Sequence, residues 1–269
     1  MKEKQLAKVL LQTKLCEGIY DMQIETTLAK EAKAGQFIAV YPKDKSTLLP
    51  RPISICEVDA DKNMLRIVYR VAGKGTAEFS AYQAGEDIAI LGPLGNGYDL
   101  SKCIVPGGTV FLMGGGIGIP PMLELAKEIC AKNATLPVAQ QTKVQMIMGY
   151  RNADLFLAKD LEKYGEVFVA TEDGSVGTKG NVMDAIAANG LQAASICTCG
   201  PMPMLRAIKA YAEKEAIPAY LSLEERMACG VGACLGCVCK TTKVDHHSHV
   251  NNARICTDGP VFLAEDVEI

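Results

Sequence analysis

Along the first hundred residues apolar and polar positions alternate in short runs, QFIAVYP, RPISICEVD, NMLRIVYRV and EDIAILG, separated by Gly, Pro, Asp and Lys turns. A period of two puts one face of each strand in a core and the other in water. Repeated at short turn spacing, it predicts a small antiparallel barrel or sandwich. From about residue 108 to 215 the texture changes: TVFLMGGG is followed by PPMLELAKEICAK, VQMIMGY by ADLFLAKDLEKY, and ASICTCG by PMLRAIKAYAEKE. Continuous apolar runs alternating with helical stretches predict a parallel sheet with crossover helices. The remaining stretch is rich in Cys and Gly and too short to build much core, so it needs a staple. The expected architecture is therefore a β-barrel plus α/β, with an antiparallel barrel over 1–100, a parallel-sheet domain over 101–215 and a small cysteine-rich domain over 216–269.

Composition narrows the classes. A chain of 269 residues with 49% apolar and 22% charged residues can bury more than one core. No run of about 18 uncharged apolar residues occurs, and the start, MKEKQLAKVLLQ, lacks an export h-region, so a soluble cytoplasmic protein is expected. A net charge of -3 with interspersed signs provides no basic stripe, which sets nucleic acid and membrane aside as partners. The eleven cysteines, in a chain read as cytosolic, argue for metal or redox chemistry over a disulfide framework. Six of them, Cys16, Cys56, Cys103, Cys130, Cys197 and Cys199, are scattered and read as small core hydrophobes.

The strongest signal is ERMACGVGACLGCVCK, residues 225–240. Cys229, Cys234 and Cys237 stand in C-x4-C-x2-C spacing, the plant-type arrangement for a [2Fe–2S] cluster. Glycines at 230, 232 and 236 let a tight loop turn N–H donors toward sulfur. The fourth thiolate is expected from Cys256 in RICTDGPVF. Cys239 is the rival, but it is two residues from Cys237, where extended backbone turns its side chain to the opposite face. A four-cysteine zinc site is the competing reading, although zinc favours paired C-x2-C hairpins and only one such pair is present. The histidines of HHSHVNN, 246–252, read as a solvated polar loop.

Three weaker fragments add phosphate chemistry. FLMGGGIGIPPMLELAK, 111–127, is a strand, a glycine turn and a helix opening on Pro120 and Pro121, where free N–H groups and the dipole end suit a phosphate. It is not the G-x-G-x-x-G fingerprint, because Ile119 takes the last glycine position. CTCGPMPML, 197–205, is a second strand exit of the same kind. In the first domain Arg51 lies between Pro50 and Pro52 and precedes Ser54, a fixed guanidinium beside a hydroxyl, while Val68, Tyr69 and Arg70 lead into the turn at Gly73 to Thr76. Taken singly, the first also reads as a tight turn without a ligand, and the Arg51 fragment as an exposed edge strand.

In order, RPIS, VYRVAGKGT, GGGIGIPPM, CGPMPML and ERMACGVGACLGC with a distant Cys before DGPVF resemble the electron-transfer subunits of class 1B, NAD-dependent dihydroorotate dehydrogenases, in the ferredoxin-reductase superfamily. The resemblance covers essentially the whole chain. It implies that the barrel binds FAD, with Arg51, Pro52, Ile53 and Ser54 on the isoalloxazine and ribityl side and Val68, Tyr69, Arg70, Gly75 and Thr76 on the rest of the flavin and its diphosphate. NAD would meet Gly114, Gly115, Gly116 and Gly118 and the exit Cys199, Gly200 and Pro201, while Cys229, Cys234, Cys237 and Cys256 would ligate the cluster. A separate FMN-containing catalytic subunit is implied as partner, in a heterotetramer of two plus two, and no acid–base residue for dihydroorotate is expected here. After EVFVAT, the carboxylates of Glu172 and Asp173 would repel a 2′-phosphate, which favours NAD over NADP, although Arg151 stands on the neighbouring strand exit. Two other readings stand beside this one: a similar small subunit of a ferredoxin-linked transhydrogenase or sulfide dehydrogenase, and a zinc-binding scaffold with no redox role.

Overall fold

The computed structural model describes residues 4–244 and 249–269, so His246 and His247 of the expected polar loop lie outside the described residues. His249 is exposed. Six antiparallel strands, β1 (Lys4–Cys16), β2 (Ile19–Glu25), β3 (Phe37–Tyr41), β4 (Arg51–Asp59), β5 (Met64–Arg70) and β6 (Asp87–Leu94), close a barrel in the order β1-β2-β5-β4-β3-β6. Helix α1 (Lys74–Phe79) follows β5. The alternation seen in the sequence sends Met22, Ile24, Ile38, Leu65, Ile67, Ile88 and Ile90 into one fully buried core, closed by Phe79 of α1. Each such side chain contributes about 1.5–3 kcal/mol by leaving water. On the other face Arg66 of β5 bonds Asp21 of β2 at 2.8 Å and Glu57 of β4 at 3.1 Å, fastening three adjacent strands.

The second body begins with α2 (Leu100–Cys103) and alternates strand and helix: β7 (Thr109–Gly115), α3 (Pro120–Asn133), β8 (Lys143–Tyr150), α4 (Ala158–Leu161), β9 (Glu166–Thr171), β10 (Thr178–Lys179), α5 (Val182–Ala188), β11 (Ser195–Cys199), α6 (Met202–Glu215) and β12 (Ala219–Ser222). The strands β7, β8, β9, β11 and β12 are parallel, in a sheet ordered β10-β9-β8-β7-β11-β12-β15, where β15 is Val261–Leu263 and runs antiparallel to β12. The strand order reverses between β7 and β11. The expected helix over ADLFLAKDLEKY shrinks to α4, because Leu157 takes a left-handed φ of 65° that a right-handed helix cannot continue.

By packing, the chain forms two compact units. One holds the barrel through Gly97 with Glu224–Cys239 and Ala253–Pro260; the other holds Tyr98–Leu223, Lys240–Asn252 and Val261–Ile269. Residues 216–269, grouped in the sequence as one domain, are thus shared between the two. A segment that short has too little apolar surface for a core of its own, so each piece packs on a larger one. In the second unit, Lys240 and Thr241 of β13 (Val238–Thr241) pair antiparallel with Glu268 and Val267 of β16 (Val267–Glu268); β14 (Asn252–Arg254) follows β13 along the chain. All eleven cysteines are free thiols, and Cys56, Cys103, Cys197 and Cys199 are buried.

Candidate functional site

In the closed barrel, β4 and β5 part toward one end. β4 pairs with β5 from Asp59–Met64 to Ile55–Ile67 and the ladder stops there, although both strands continue. Beyond it Arg51 to Ser54 pair only with β3, from Val40–Arg51 to Phe37–Ser54, and Val68 to Arg70 pair with β2. The strands therefore diverge over the two fragments singled out in the sequence, leaving two backbone edges facing a gap. Pro52, which has no N–H, sits at the start of the divergent stretch.

Side chains at the gap have distinct jobs. The Arg51 guanidinium donates to the Leu49 carbonyl and lies on the backbone of Gly75, where a Cβ would be 2.9 Å from Arg51 Nε. A side chain there would push the guanidinium aside. Thr76 is buried, and its hydroxyl is used by the turn: it accepts from the N–H groups of Ala72 at 2.9 Å and Gly73 at 3.2 Å and donates to the Gly73 carbonyl. Tyr69 faces inward, its ring stacked on Tyr20 at 6.1 Å and edge-on to Phe79 at 6.2 Å, with its hydroxyl accepting from Gln12. Burial pushes its phenol well above the ordinary value. Val68 is likewise buried and Ile53 packs on the barrel core, so Ile53, Val68, Tyr69 and Thr76 shape the gap from behind, while Arg51, Pro52, Ser54 and the exposed Arg70 stand at it. Sequence reasoning missed Glu78, whose carboxylate accepts the backbone N–H groups of Lys43 at 2.5 Å and Asp44 at 3.1 Å and the Tyr82 hydroxyl at 3.1 Å. It ties the β3–β4 connection, and so the approach to Arg51, to α1. A lone acid in a short helix carries no sequence signal of such a role.

In the second unit both glycine-rich exits meet. β7 and β11 are neighbours with Gly114 opposite Cys199, at the point where the strand order reverses, and open parallel sheets bind ligands at such points. A Cβ on Gly118 would lie 2.3 Å from the Cys199 carbonyl oxygen and 2.7 Å from Gly200 Cα; one on Gly115 would lie 2.4 Å from Met204 Sδ and 3.1 Å from Pro201 Cδ. Gly116 differs: it is exposed, has φ +53°, and nothing stands within 4 Å of where its Cβ would be. The turn thus has a closed back and an open lip. At the exits of β8 and β9, Asp173 donates its N–H to the Arg151 carbonyl, and its carboxylate accepts from Ser175 N–H at 2.9 Å and Oγ at 2.6 Å, which holds it below the ordinary range. Arg151 and Glu172 are exposed beside it.

The cysteine loop belongs to the same unit as the barrel. Gly230 at φ +69°, Gly232 at +81° and Leu235 at +57° take left-handed conformations that curl it tightly. Cys229 Sγ accepts from the N–H groups of Val231 at 3.5 Å, Ala233 at 3.3 Å and Cys234 at 3.4 Å, and Cys234 Sγ accepts from Gly236 N–H at 3.4 Å. Burial pushes the Cys229 thiol up, but those donors outweigh it and bring it down to about 6. The thiols are in contact two by two, Cys229 with Cys234 and Cys237 with Cys256. Among the described residues no three His, Cys, Asp or Glu side chains converge on a single ion position. Burial first, then the Cys237 thiol, raises Cys256 to about 11. The Ile255 N–H donates to the Cys237 carbonyl at 2.9 Å, and Asn96 Nδ2 donates to the Thr257 carbonyl at 2.9 Å, which brings the distant Cys256 to the loop. Cys239 is half-buried, its sulfur accepting from the Ala253 N–H.

Comparison with known proteins agrees with this layout. The family described as the iron-sulfur cluster binding domain of dihydroorotate dehydrogenase B matches residues 224–268, and the oxidoreductase NAD-binding domain matches 112–210. The chain is 41% identical over 262 residues to the dihydroorotate dehydrogenase B (NAD(+)) electron transfer subunit of Fusobacterium nucleatum, covering 95% of each. It is 40% identical over 271 residues to the subunit of the same name from Bacillus pumilus, covering 99% of each. Among solved structures, a chain from the NADH-dependent reduced ferredoxin-NADP oxidoreductase superposes with a TM-score of 0.83 at 27% identity, over 100% of this chain and 91% of that one. With barrel, parallel sheet and cysteine loop in this order and relatives of that identity over nearly the full length, the chain belongs to the family of dihydroorotate dehydrogenase B (NAD(+)) electron transfer subunits.

Proposed function

We propose that this chain carries electrons from a catalytic dihydroorotate dehydrogenase subunit through a [2Fe–2S] cluster and FAD to NAD, in a cytoplasmic complex that serves pyrimidine biosynthesis. When bound, the cluster supplies single-electron transfer, NAD accepts a hydride, and the flavin exchanges electrons with both. The chain's own residues position these groups and set their surroundings.

The observation that carries the reading is the thiol arrangement. Two contacting pairs, Cys229 with Cys234 and Cys237 with Cys256, match a cluster of two irons held by four thiolates, and three N–H groups on Cys229 favour its charged form. The fit for FAD is the gap where β4 and β5 part, with Arg51 on Gly75 as a permanent cation at its edge and Thr76 fixing the turn behind. The fit for NAD is the closed-backed turn of Gly114, Gly115 and Gly118 against Cys199, Gly200 and Pro201, with Gly116 as its open lip. Glu172 and Asp173 repel a 2′-phosphate and favour NAD over NADP.

The catalytic partner is proposed to contain FMN and to assemble as two plus two with this chain. Val231 and Leu235, exposed by 47% and 64%, flank the exposed Cys234 and offer an apolar rim for that partner. Among the described residues no helix is long and apolar enough to cross a membrane. The likeness to the NADH-dependent reduced ferredoxin-NADP oxidoreductase chain favours a second reading, a flavin and iron–sulfur subunit of another NAD(P)-linked complex. One experiment separates them. The chain, co-purified with an FMN-type dihydroorotate dehydrogenase subunit, is tested for dihydroorotate-dependent NAD reduction, with visible spectra before and after substrate and the mass of the complex by light scattering. Activity with bleaching is expected; a coloured but inactive complex favours the second reading, and a colourless zinc protein refutes both.

A further inference from the structure

We propose that Met204 is a positioning residue for the nucleotide turns and a site of oxidative modification, such that conversion of its thioether to the sulfoxide weakens NAD binding. The inference rests on the NAD reading above and adds a regulatory chemistry to it.

Met204 lies in the first turn of α6, three residues after Pro201. Its Sδ stands 2.4 Å from where a Cβ on Gly115 would be and 2.8 Å from where one on Gly200 would be, so a single sulfur backs both glycine turns. A thioether suits that place: it is polarisable, adapts to irregular gaps and demands no hydrogen bond. Met148 Sδ backs Gly114 in the same way, at 2.9 Å from its Cβ position, but Met148 is fully buried, whereas Met204 is half-buried. Of these two methionines, Met204 is the one with surface open to solvent.

The chemistry balances with a hydroperoxide as oxidant. Hydrogen peroxide transfers one oxygen to Sδ, forming the S–O bond as the O–O bond breaks; sulfur loses two electrons and the peroxide leaves as water. The added oxygen is polar and adds bulk to a sulfur that already lies against the backbones of Gly115 and Gly200. Accommodating it shifts Met204 or parts the turns, and either changes the backbone that faces the nucleotide.

The test uses the full chain with its bound cofactors. NAD+ binding is measured by calorimetry before and after hydrogen peroxide, peptide mass spectrometry locates the added oxygen, and the visible spectrum follows flavin and cluster. The expected result is oxygen on Met204 with NAD+ binding at least about tenfold weaker, a factor equal to 1.4 kcal/mol and within the usual range for overpacking. Met204→Leu, which fills the gap without sulfur, should keep a treated-to-untreated ratio near one, and Met204→Gln should bind NAD+ more weakly than Met204→Leu without any peroxide. The proposal is overturned if Met204 stays unmodified while the half-buried Met202 and Met227 are oxidised, if it is oxidised with binding unchanged, or if the Leu variant loses as much affinity. An untreated chain that binds no NAD+ overturns the NAD reading itself and this inference with it.

Discussion

Gly118→Ala tests the nucleotide cradle most directly. A Cβ there would stand 2.3 Å from the Cys199 carbonyl oxygen and 2.5 Å from its carbon, against the roughly 3.3 Å of an ordinary carbon–oxygen contact, so about 1 Å of separation must open. The obstacle is backbone at the end of β11, paired on one side with Gly114 of β7 and on the other with Ser222 of β12, and cannot swing aside as a side chain would. Overpacking of this kind costs about 1–3 kcal/mol, and a backbone obstacle places it in the upper part of that range. For a domain of this size the melting temperature of the unit should fall by about 5–10 °C. A displacement of 1 Å in a positioning element weakens function by up to about 100-fold. NAD+ affinity by calorimetry, thermal unfolding and flavin content together read the effect; flavin content should hold, since the barrel is a separate unit. Gly116→Ala is the comparator, because its φ of +53° carries a strain of only about 1–2 kcal/mol and its Cβ meets nothing within 4 Å. Gly118→Ala with affinity and melting temperature no worse than Gly116→Ala would refute the contact with Cys199 as what shapes the cradle.

Cys256→Ser should abolish the cluster's visible and paramagnetic signals while FAD stays bound, and Cys239→Ser should leave both; a normal cluster in the first variant moves the fourth ligand to Cys239. Arg51→Ala should lower FAD occupancy several-fold, since it removes the cation at the barrel gap, and unchanged flavin content in the purified variant contradicts that placement. In metal-free protein, Cys229, brought down to about 6, should alkylate at pH 7 at least about 100-fold faster than Cys256, raised to about 11, because the thiolate is the nucleophile. Because the folded value lies below the ordinary 9.0, the stability it contributes is complete above about pH 9 and is lost as pH falls through about 6. Equal labelling of the two thiols by mass spectrometry, or a Cys229 rate that does not fall between pH 7 and 5, counts against the N–H cage.

The sequence by itself determined the textures and the chemistry. Period-two runs such as QFIAVYP required half-buried strands, the apolar runs TVFLM and VQMIM required a sheet covered on both faces, and the C-x4-C-x2-C spacing named the cluster loop, because each depends on neighbours along the chain. What depends on residues far apart was decided only in the tertiary structure. Tyr69, on β5, turns its ring into the core, since strand register chooses which face each residue shows, and Thr76, in α1, spends its hydroxyl on the turn that precedes the helix. The helix expected over ADLFLAKDLEKY begins only after Leu157, because a single left-handed residue overrides helical periodicity. Glu78 and Met204 gained their neighbours Lys43 and Gly115 from segments that folding alone brings to them. The surroundings of Cys256 and Cys239 have the same cause: sequence spacing sets neither, whereas the Asn96 and Ile255 hydrogen bonds carry Cys256 across to Cys237 and the Cys239 sulfur meets the Ala253 N–H.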